Sequence, residues 1–530
     1  MGVSILICDE KDFKPGSYES FDKIYVVSNE EYRNSNVISV QPNRLFIKSH
    51  KRGREFNRHL IETSPIGNKL TLSLLKSIDL RVFQCMRLIE CMIDINLEKG
   101  SRVSFLSCEP EFLTYILKYF DFSYETIFPL PSKRKITLGL KLYLKSLILY
   151  INGLFFRGNT SNKVFISYDD SVAYRILEPY EEECTIYPLL TNNLIFSKGL
   201  NFSKGHFDRK FLSYFGFKYF LYASIMTRRT IKNSTLPSVI KNIFLGQVTE
   251  LELEVAQILS VKGKQKELTH VYGFFDTCGY IDYATEKLNN LQSVTTVCIP
   301  HGVNYKEKCH YISYGTNIYS LWSDNHFERM ESSNLLKEEA TTKLITGHIG
   351  YYKNVLVPKT VAKQKNILVV GEYFSKDGYY SSPFNESTSR RLFSVLKQFA
   401  EQTNTSITIR TRLDDDYMKV AQYYACEKIV ISTANVNLVD QILNHDLVIS
   451  VFSNVLHEAL ILKRDVLQVN FLGISNYRDL ASDNLVHYAT NEQQCYNLLF
   501  LWHECNLPKI DFDYHLKKYC NDGKFNKVIC

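Results

Sequence analysis

The sequence predicts an α/β protein built from two doubly wound domains that face each other. Short apolar runs of strand length alternate with longer stretches of helical period, which indicates parallel sheets with helices on both faces. The alternation restarts after a polar stretch at 353–366, and 530 residues suffice for two or three domains. We therefore expect a first domain over 1–352, an interdomain crossing at 353–366, a second domain over 367–510 and a C-terminal tail over 511–530.

The elements of the first half follow from two periodicities. Apolar runs of four to six residues predict strands, and apolar residues spaced three and four apart predict helices. The predicted strands are Val3–Cys8, Lys23–Val27, Arg102–Leu106, Lys163–Tyr168, His270–Phe275 and Val294–Ile299. The predicted helices are Leu70–Leu97 (as one helix or two), Pro110–Phe120, Leu251–Leu259 and Tyr280–Leu291.

The second half repeats the pattern over a shorter distance. The predicted strands are Ile367–Val370, Ser406–Arg410, Ile429–Ser432, Leu447–Val451 and Val466–Val469. The predicted helices are Ser389–Gln402, Leu438–Leu443 and Val455–Leu462. Strands that alternate with helices in this way form one complete doubly wound unit.

Composition limits the class of protein and its compartment. The 45% of hydrophobic residues excludes a disordered chain, and the net charge of +7 is too small to indicate a nucleic-acid partner. The 13 cysteines form no C-x-x-C pair, which favours a reducing compartment. Acidic residues follow the first apolar run directly, so this run predicts a strand and no signal peptide. We expect a cytoplasmic protein.

A basic and apolar segment at 133–157 leaves two interpretations open. Lys141 and Lys145 interrupt it, so it is too charged for a membrane-spanning helix of about 20 apolar residues. It is either a buried helix of a large domain or a helix that lies in the plane of a membrane surface with both lysines on one side. A second basic and aromatic stretch at 209–232 supports peripheral contact with the cytoplasmic face of the inner membrane.

The most informative pattern is a strand, a Ser-Asn pair and a helix in direct succession. Ser453 and Asn454 follow the strand at 447–451, and Glu458 lies in the helix that comes next. A helix N-terminus presents unpaired N–H groups and partial positive charge, which suit a phosphate. The alternative is that Ser453 or Asn454 only caps the helix.

Two stretches carry a resemblance to a known group of enzymes. The run DLVISVFSNVLHEA at 446–459, followed by KRDVLQVN at 463–470, resembles the donor-nucleotide region of bacterial surface-polysaccharide glycosyltransferases of the GT-B architecture. Pro300-His301-Gly302 at the end of a strand, with Trp322-Ser-Asp324 downstream, is similar to an element of CDP-glycerol glycerophosphotransferases, polysialyltransferases and capsule-type Kdo transferases. The resemblance covers residues 270–475 and implies two facing Rossmann-like domains.

The resemblance also implies roles for particular residues. Ser453, with Asn454, would contact the donor phosphate, Glu458 the ribose hydroxyls, and His301 a phosphate or the reacting sugar. The chain departs from the pattern at 409–413, where the capsule families have Arg-x-His-Pro and this sequence has the arginine without His-Pro.

Several further residues suit a donor site on physical grounds. Arg410 and Arg412 end a strand on one face, where both could bind phosphate oxygens; a salt bridge to Asp414–Asp416 is the alternative. Gly371 and Glu372 follow the first strand of the second domain, where glycine permits close approach of a ligand or simply makes a turn.

Transfer to a hydroxyl needs a general base, and three residues follow strands of the first domain. They are Asp169, Asp276 and His301, and His301 is the first choice because the motif resemblance agrees with its position. Each aspartate could instead be a helix cap or turn residue. We expect no metal and no cofactor. The D-x-D at 414–416 has the form of a metal-binding motif, but within the donor domain we interpret it as a solvated turn.

The sequence thus predicts a metal-independent glycosyltransferase of surface polysaccharide or lipopolysaccharide. Its partners would be a nucleotide-sugar donor, first a CMP-linked Kdo or sialic-acid-like sugar, and a glycan or lipid-linked glycan acceptor, with no nucleic acid. Three alternatives stay open: a polyol-phosphate transferase of the CDP-glycerol type, a nucleotide-sugar 2-epimerase, and a non-catalytic polysaccharide assembly protein.

Overall fold

A computed structural model of the chain describes its secondary-structure elements and most of their connections. The described residues are 3–9, 12–14, 17–18, 20–28, 36–40, 42–95, 97, 101–107, 109–130, 138–155, 163–168, 185–189, 212–264, 268–273, 281–291, 294–299, 316–323, 342–347, 365–371, 386–411, 415–433, 436–451, 454–471 and 479–520. The chain divides into two compact units, one made of 1–48, 90–101 and 351–522, the other of 49–89, 102–350 and 523–530.

The α/β class with parallel, doubly wound sheets is confirmed. The described strands form one five-stranded and two six-stranded sheets. The predicted domain limits stay a prediction, because the crossing at 353–364 lies outside the described residues. After residue 510 the chain forms a helix, Phe512–Cys520, where we expected only a tail.

The five-stranded sheet comes from the first 130 residues. Its strands are β1 (Ser4–Asp9), β2 (Lys23–Val27), β3 (Val37–Val40), β4 (Arg102–Ser107) and β5 (Thr126–Pro129), in the order β3-β2-β1-β4-β5. The helices are α1 (Pro42–Glu62), α2 (Asn68–Asp94) and α3 (Pro110–Tyr119). The apolar stretch at 70–97 thus forms one helix, and Pro110 begins α3 because proline needs no N–H partner in the first turn.

The second sheet has six strands. They are β6 (Lys163–Tyr168), β7 (Thr185–Leu189), β8 (His270–Gly273), β9 (Thr295–Cys298), β10 (Ile318–Leu321) and β11 (Thr342–Ile345), in the order β11-β10-β9-β8-β6-β7. The helices of this region are α4 (Leu138–Leu154), α5 (Tyr214–Asn233), α6 (Ser238–Lys264) and α7 (Ile281–Leu291). In these first two sheets, β3, β5, β7, β10 and β11 were not predicted, because runs of four or five residues are ambiguous without clear flanking signals.

The third sheet is the doubly wound unit predicted for the second half. Its strands are β12 (Asn366–Val370), β13 (Ser406–Arg410), β14 (Ile429–Ser432), β15 (Leu447–Ser450), β16 (Asp465–Val469) and β17 (His487–Ala489). Its helices are α8 (Glu386–Thr403), α9 (Asp415–Tyr424), α10 (Leu438–Leu443), α11 (Val455–Ile461), α12 (Asp479–Ser482), α13 (Glu492–His503) and α14 (Phe512–Cys520).

Alternate residues of the third sheet pack on its two faces. Ile367 and Val369 of β12 belong to one apolar cluster, which holds Phe393 and Phe399 of α8. Leu368 and Val370 belong to a second cluster, with residues of α10, α11 and α14. Because both faces are covered, the four residues that follow Asn366 in β12 are all apolar and form a continuous apolar run.

Candidate active site

The strand order of the third sheet locates a candidate ligand site. The order is β14-β13-β12-β15-β16-β17. The chain therefore adds β13 and β14 on one side of β12. It then places β15 on the other side of β12 and adds β16 and β17 beyond it. In open α/β sheets with this order, ligands bind beyond the carboxyl ends of the two strands where the direction reverses. Those ends are Val370 of β12 and Ser450 of β15, which are joined by a hydrogen bond of 3.1 Å from Ser450 Oγ to the Val370 carbonyl.

The predicted strand-to-helix turn lies at this reversal point. After β15 the chain passes Val451 and reaches Asn454, which occupies the N-cap position of α11. The Asn454 side chain makes no capping hydrogen bond, and its carbonyl accepts from the Glu458 N–H at 3.0 Å. Ser453 lies outside the described residues. The capping interpretation therefore does not account for Asn454.

Helix α11 is short and buried along its whole length. All seven of its residues are buried, and Glu458 is only 3% exposed. His457 Nδ1 and His515 Nε2 are 3.0 Å apart, and Tyr519 packs on the His457 ring, so α14 covers this side of α11. Two turns of helix contribute a weaker dipole than a long helix does. An anion at this turn would therefore depend more on the nearby polar side chains than on the helix dipole.

A row of polar side chains continues along the same edge. Gln468 Nε2 donates to the Val451 carbonyl at 2.8 Å, and Asn470 Nδ2 donates to Tyr488 Oη at 2.6 Å. We did not single out Ser450, Gln468, Asn470 or Tyr488 from the sequence. A usable signal existed, since Ser450, Gln468 and Asn470 are polar residues in or directly after the carboxyl ends of otherwise apolar runs.

Arg410 ends β13 and is held by neutral groups of the neighbouring loop and helix. Its Nη1 donates to the Val436 carbonyl at 2.7 Å and to Gln441 Oε1. Gln441 Nε2 in turn contacts Ser432 Oγ at 2.5 Å, at the end of β14. This network fixes the guanidinium at the carboxyl edge of the sheet. Arg412 lies outside the described residues.

Gly371, directly after β12, is explained by packing. A Cβ built on it would lie 2.7 Å from Tyr417 Oη and closer still to two carbons of the Tyr417 ring. Tyr417 is fully buried and packs edge-on against Phe393, so the ring has no room to withdraw. A close approach of α9 therefore requires glycine here, whatever binds beyond it. Glu372 lies outside the described residues.

The predicted base residues follow neighbouring strands of the second sheet. Strands β6 and β8 pair in parallel, and β8 pairs with β9. Asp169 follows β6, Asp276 follows β8, and His301 follows β9; all three lie outside the described residues. In this sheet the chain reverses between β6 and β8, so the first two aspartates follow the two strands where ligands bind in such sheets.

Among the residues that the structure describes, no three His, Cys, Asp or Glu side chains are grouped as a metal site would need. Over the same residues, no helix combines the length and apolar character required to cross a membrane.

Comparison with known proteins yields similar structures and no family. No protein-family model matches the chain, and no curated protein does. A similar solved structure is Staphylococcus aureus MnaA with UDP, at 10% identity over 69% of this chain and 94% of that chain, with a TM-score of 0.44. Anabaena Alr3699/HepE with UDP and glucose is similar at 10% identity over 69% of this chain and 98% of that chain, with a TM-score of 0.41. The lipopolysaccharide outer core galactosyltransferase WaaB is similar at 15% identity over 69% of this chain and 97% of that chain, with a TM-score of 0.39. The UDP-GlcNAc 2-epimerase of Methanocaldococcus jannaschii is similar at 11% identity, with a TM-score of 0.42.

The geometry of the third sheet is suited to an anionic, polar ligand. The reversal point brings together a serine that ties two strands, a cap-position asparagine and a fixed arginine two strands away on the same edge. A guanidinium and amide groups at a strand edge can neutralise and orient phosphate oxygens. The buried Glu458 in the first turns of α11 offers an acceptor for hydroxyl groups.

Proposed function

We propose that the chain is a glycosyltransferase that moves a sugar from a nucleotide-activated donor to a surface-polysaccharide or lipopolysaccharide acceptor. The observation that carries the proposal is the reversal between β12 and β15, because the Ser-Asn turn and Glu458 follow directly on β15. The motif resemblance at 446–470 and 300–302 supports the same assignment from the sequence. The site in the third sheet would bind the nucleotide.

Each donor contact in the proposal has a physical reason. Ser453 and Asn454 would hydrogen-bond the phosphates at the start of α11, and Glu458 would accept from the ribose hydroxyls. Arg410 and Arg412 would supply positive charge beside the phosphates, with Gly371 and Glu372 on the neighbouring strand end. Catalysis would need no metal, since side chains and N–H groups neutralise the leaving phosphate.

The reaction moves one proton and one glycosyl group. A base deprotonates the acceptor hydroxyl, its oxygen bonds to the anomeric carbon, and the bond from that carbon to the donor phosphate breaks, so the nucleotide leaves with the electron pair. We assign the base to His301, with Asp276 and Asp169 as the alternatives, because all three follow neighbouring strands of one sheet. The resemblance favours a CMP-linked donor such as a Kdo or sialic-acid-like sugar.

Nucleotide binding is the first test. We expect one of CMP, CDP, UDP, GDP and ADP to raise the melting temperature without magnesium. At a ligand concentration of a hundred times Kd, the free energy of unfolding should rise by about 2.7 kcal/mol. UDP is in the panel because MnaA and HepE were solved with it. Asn454→Ala and Ser453→Ala should abolish the shift.

A matched asparagine controls for helix capping. Asn491 caps α13 through a hydrogen bond of 2.9 Å from the Gln494 N–H, whereas Asn454 makes no such bond to α11. Asn491→Ala should therefore lower stability through the lost cap and leave nucleotide binding intact, whereas Asn454→Ala should abolish the shift that the nucleotide causes. A chain that binds no nucleotide, or an Asn454→Ala variant that binds like wild type, contradicts the proposed site.

Product analysis separates the proposal from its rivals. Transfer of a sugar adds the glycosyl mass to the acceptor, whereas polyol-phosphate transfer also leaves phosphate in the linkage. Interconversion of a UDP-sugar without an acceptor would indicate a 2-epimerase. Unchanged polysaccharide assembly in a strain that carries Ser453→Ala and Glu458→Ala would indicate a non-catalytic assembly protein.

A further inference from the structure

Helix α4 carries a row of exposed apolar side chains. The row consists of Leu144, Leu147, Ile148, Ile151 and Leu154, spaced three and four apart, and Ile148 is 57% exposed. On the opposite side, Leu142, Lys145, Ser146 and Leu149 are buried. The membrane-surface interpretation of 133–157 placed Lys141 and Lys145 on one side of the helix; in the structure Lys145 is buried and Lys141 is exposed, so of the two only Lys141 can meet a membrane surface.

Helix α5 has a second exposed row of mixed character. Its apolar members are Tyr214, Phe215, Leu221, Tyr222, Ile225 and Met226. Lys218, Arg229 and Lys232 are exposed along the same helix. The buried side of α5 packs on α6, where Gly216 lies so close to Ala256 and Ser260 that an added Cβ would clash with both.

The two helices are held together by aromatic contacts. The Tyr150 and Phe217 rings stack at 4.7 Å, and the Tyr143 and Phe220 rings are 5.3 Å apart. Leu212, just before α5, donates its N–H to the Leu149 carbonyl at 2.9 Å. Both helices share one apolar cluster with α6, so the exposed rows are on the sides that face away from this cluster.

The charge on these two helices has one sign. Across Leu138–Leu154 and Tyr214–Asn233 there are six lysines and arginines and no aspartate or glutamate. The acidic residues of the helix group are on α6, at 250, 252 and 254, and Glu252 and Glu254 are buried. Two helices whose apolar rows are accompanied, within the helices themselves, only by positive charge are complementary to an anionic lipid bilayer.

We propose that the exposed faces of α4 and α5 dock on the surface of an anionic membrane. The apolar rows would enter the boundary between head groups and acyl chains, and Lys141, Lys218, Arg229 and Lys232 would contact lipid phosphates. The charge selects a bilayer as the occupant, because all the charged residues of both helices are basic, and tyrosines at the surface together with lysines are typical of membrane interfaces. The proposal does not rest on the proposed reaction, since it concerns a different surface.

Vesicle binding tests the proposal. We expect the full chain to co-sediment with vesicles that contain phosphatidylglycerol and to bind phosphatidylcholine vesicles much less. The double variant L147E/I148E should reduce binding at least tenfold, because two exposed apolar groups are replaced by charges that the lipid repels. Each of K218Q and R229Q should reduce binding about fivefold at low salt.

The controls keep the result interpretable. Leu501→Glu changes a leucine on α13 that is 40% exposed, close to the 45% of Leu147, and should leave vesicle binding unchanged. Because the substituted residues are exposed, the melting temperatures of all variants should match that of wild type. Failure of wild type to bind the anionic vesicles, or equal binding by L147E/I148E, overturns the proposal. A self-association that L147E/I148E abolishes, without vesicle binding, would instead assign the face to a contact between copies of the chain.

Discussion

Replacement of Glu252 by glutamine should remove a pH dependence of stability in the unit that contains α5, α6 and α7. Glu252 is fully buried on α6, and Thr227 Oγ1 of α5 donates to its Oε1 at 2.5 Å. Burial raises the pKa of the Glu252 carboxyl from its ordinary 4.5 to about 6, and the hydrogen bonds from Thr227 and Tyr219 only partly oppose this rise.

The size and sign of the effect follow from that pKa. A rise from 4.5 to about 6 corresponds to about 2 kcal/mol at about 1.36 kcal/mol per pH unit. Between these values the folded protein binds more protons at Glu252 than the unfolded chain does, so the free energy of unfolding falls as pH rises. The stabilisation is complete below pH 4.5 and is lost by the time the pH has passed about 6.

Tryptophan fluorescence can report this unit alone. The chain has two tryptophans, and Trp322 is the one in the unit with Glu252. In a Trp502→Phe background, urea unfolding is followed through the buried Trp322. Between pH about 4.5 and 7, the free energy of unfolding of the protein with Glu252 should fall by about 2 kcal/mol more than that of the Glu252→Gln variant.

An exposed carboxylate of the same unit provides the control. Glu111→Gln, on α3, removes the same charge from an exposed position and should leave the pH profile of the Trp322 transition as in wild type. Parallel profiles for wild type and Glu252→Gln would refute the reasoning, because the buried carboxyl would then not be the titrating group.

Three further changes test the packing and electrostatics of the third sheet. Gly371→Ala should lower the free energy of unfolding by about 1–3 kcal/mol in urea titrations, because the Tyr417 ring cannot withdraw; an unchanged midpoint would contradict this. Asn491→Ala should cost about 1 kcal/mol and Asn491→Asp much less, since both Asn and Asp can accept from the Gln494 N–H. Glu492→Gln should cost no more than about 0.5 kcal/mol at neutral pH, because its ion pair with Arg391 is partly exposed. Arg391 lowers the pKa of Glu492, so the cost of Glu492→Gln should disappear as acid protonates the wild-type carboxylate; a cost that persists in acid would mean a packing effect.

The strand-to-helix turn at the candidate site shows which elements the sequence predicts correctly. The run from Leu447 to Ser450 forms a strand and Leu438–Leu443 forms a helix, as the pattern predicts. Local chemistry is sufficient for such elements because both faces of the sheet are covered and most strand positions are apolar. It also predicts that Asn454 stands at the start of a helix.

Local chemistry does not predict which strands are neighbours. Each parallel crossover can place the next strand on either side, so only the folded chain shows that β15 returns beside β12 and that the site lies between them. The same applies to β6 and β8, whose pairing brings together the strands that precede Asp169 and Asp276.

By itself, the sequence determined the α/β class, five of the six strands and three of the seven helices described for the third sheet, and the position of Asn454 at the start of a helix, because apolar periodicity is a local property. Tertiary structure alone decided which partner each side chain has. Gly371 is required by the Tyr417 ring, Arg410 is held by Gln441, and Lys145 is buried while Lys141 is exposed. The physical reason is that these outcomes depend on residues distant in the chain, and burial and hydrogen bonding are settled only when the elements pack.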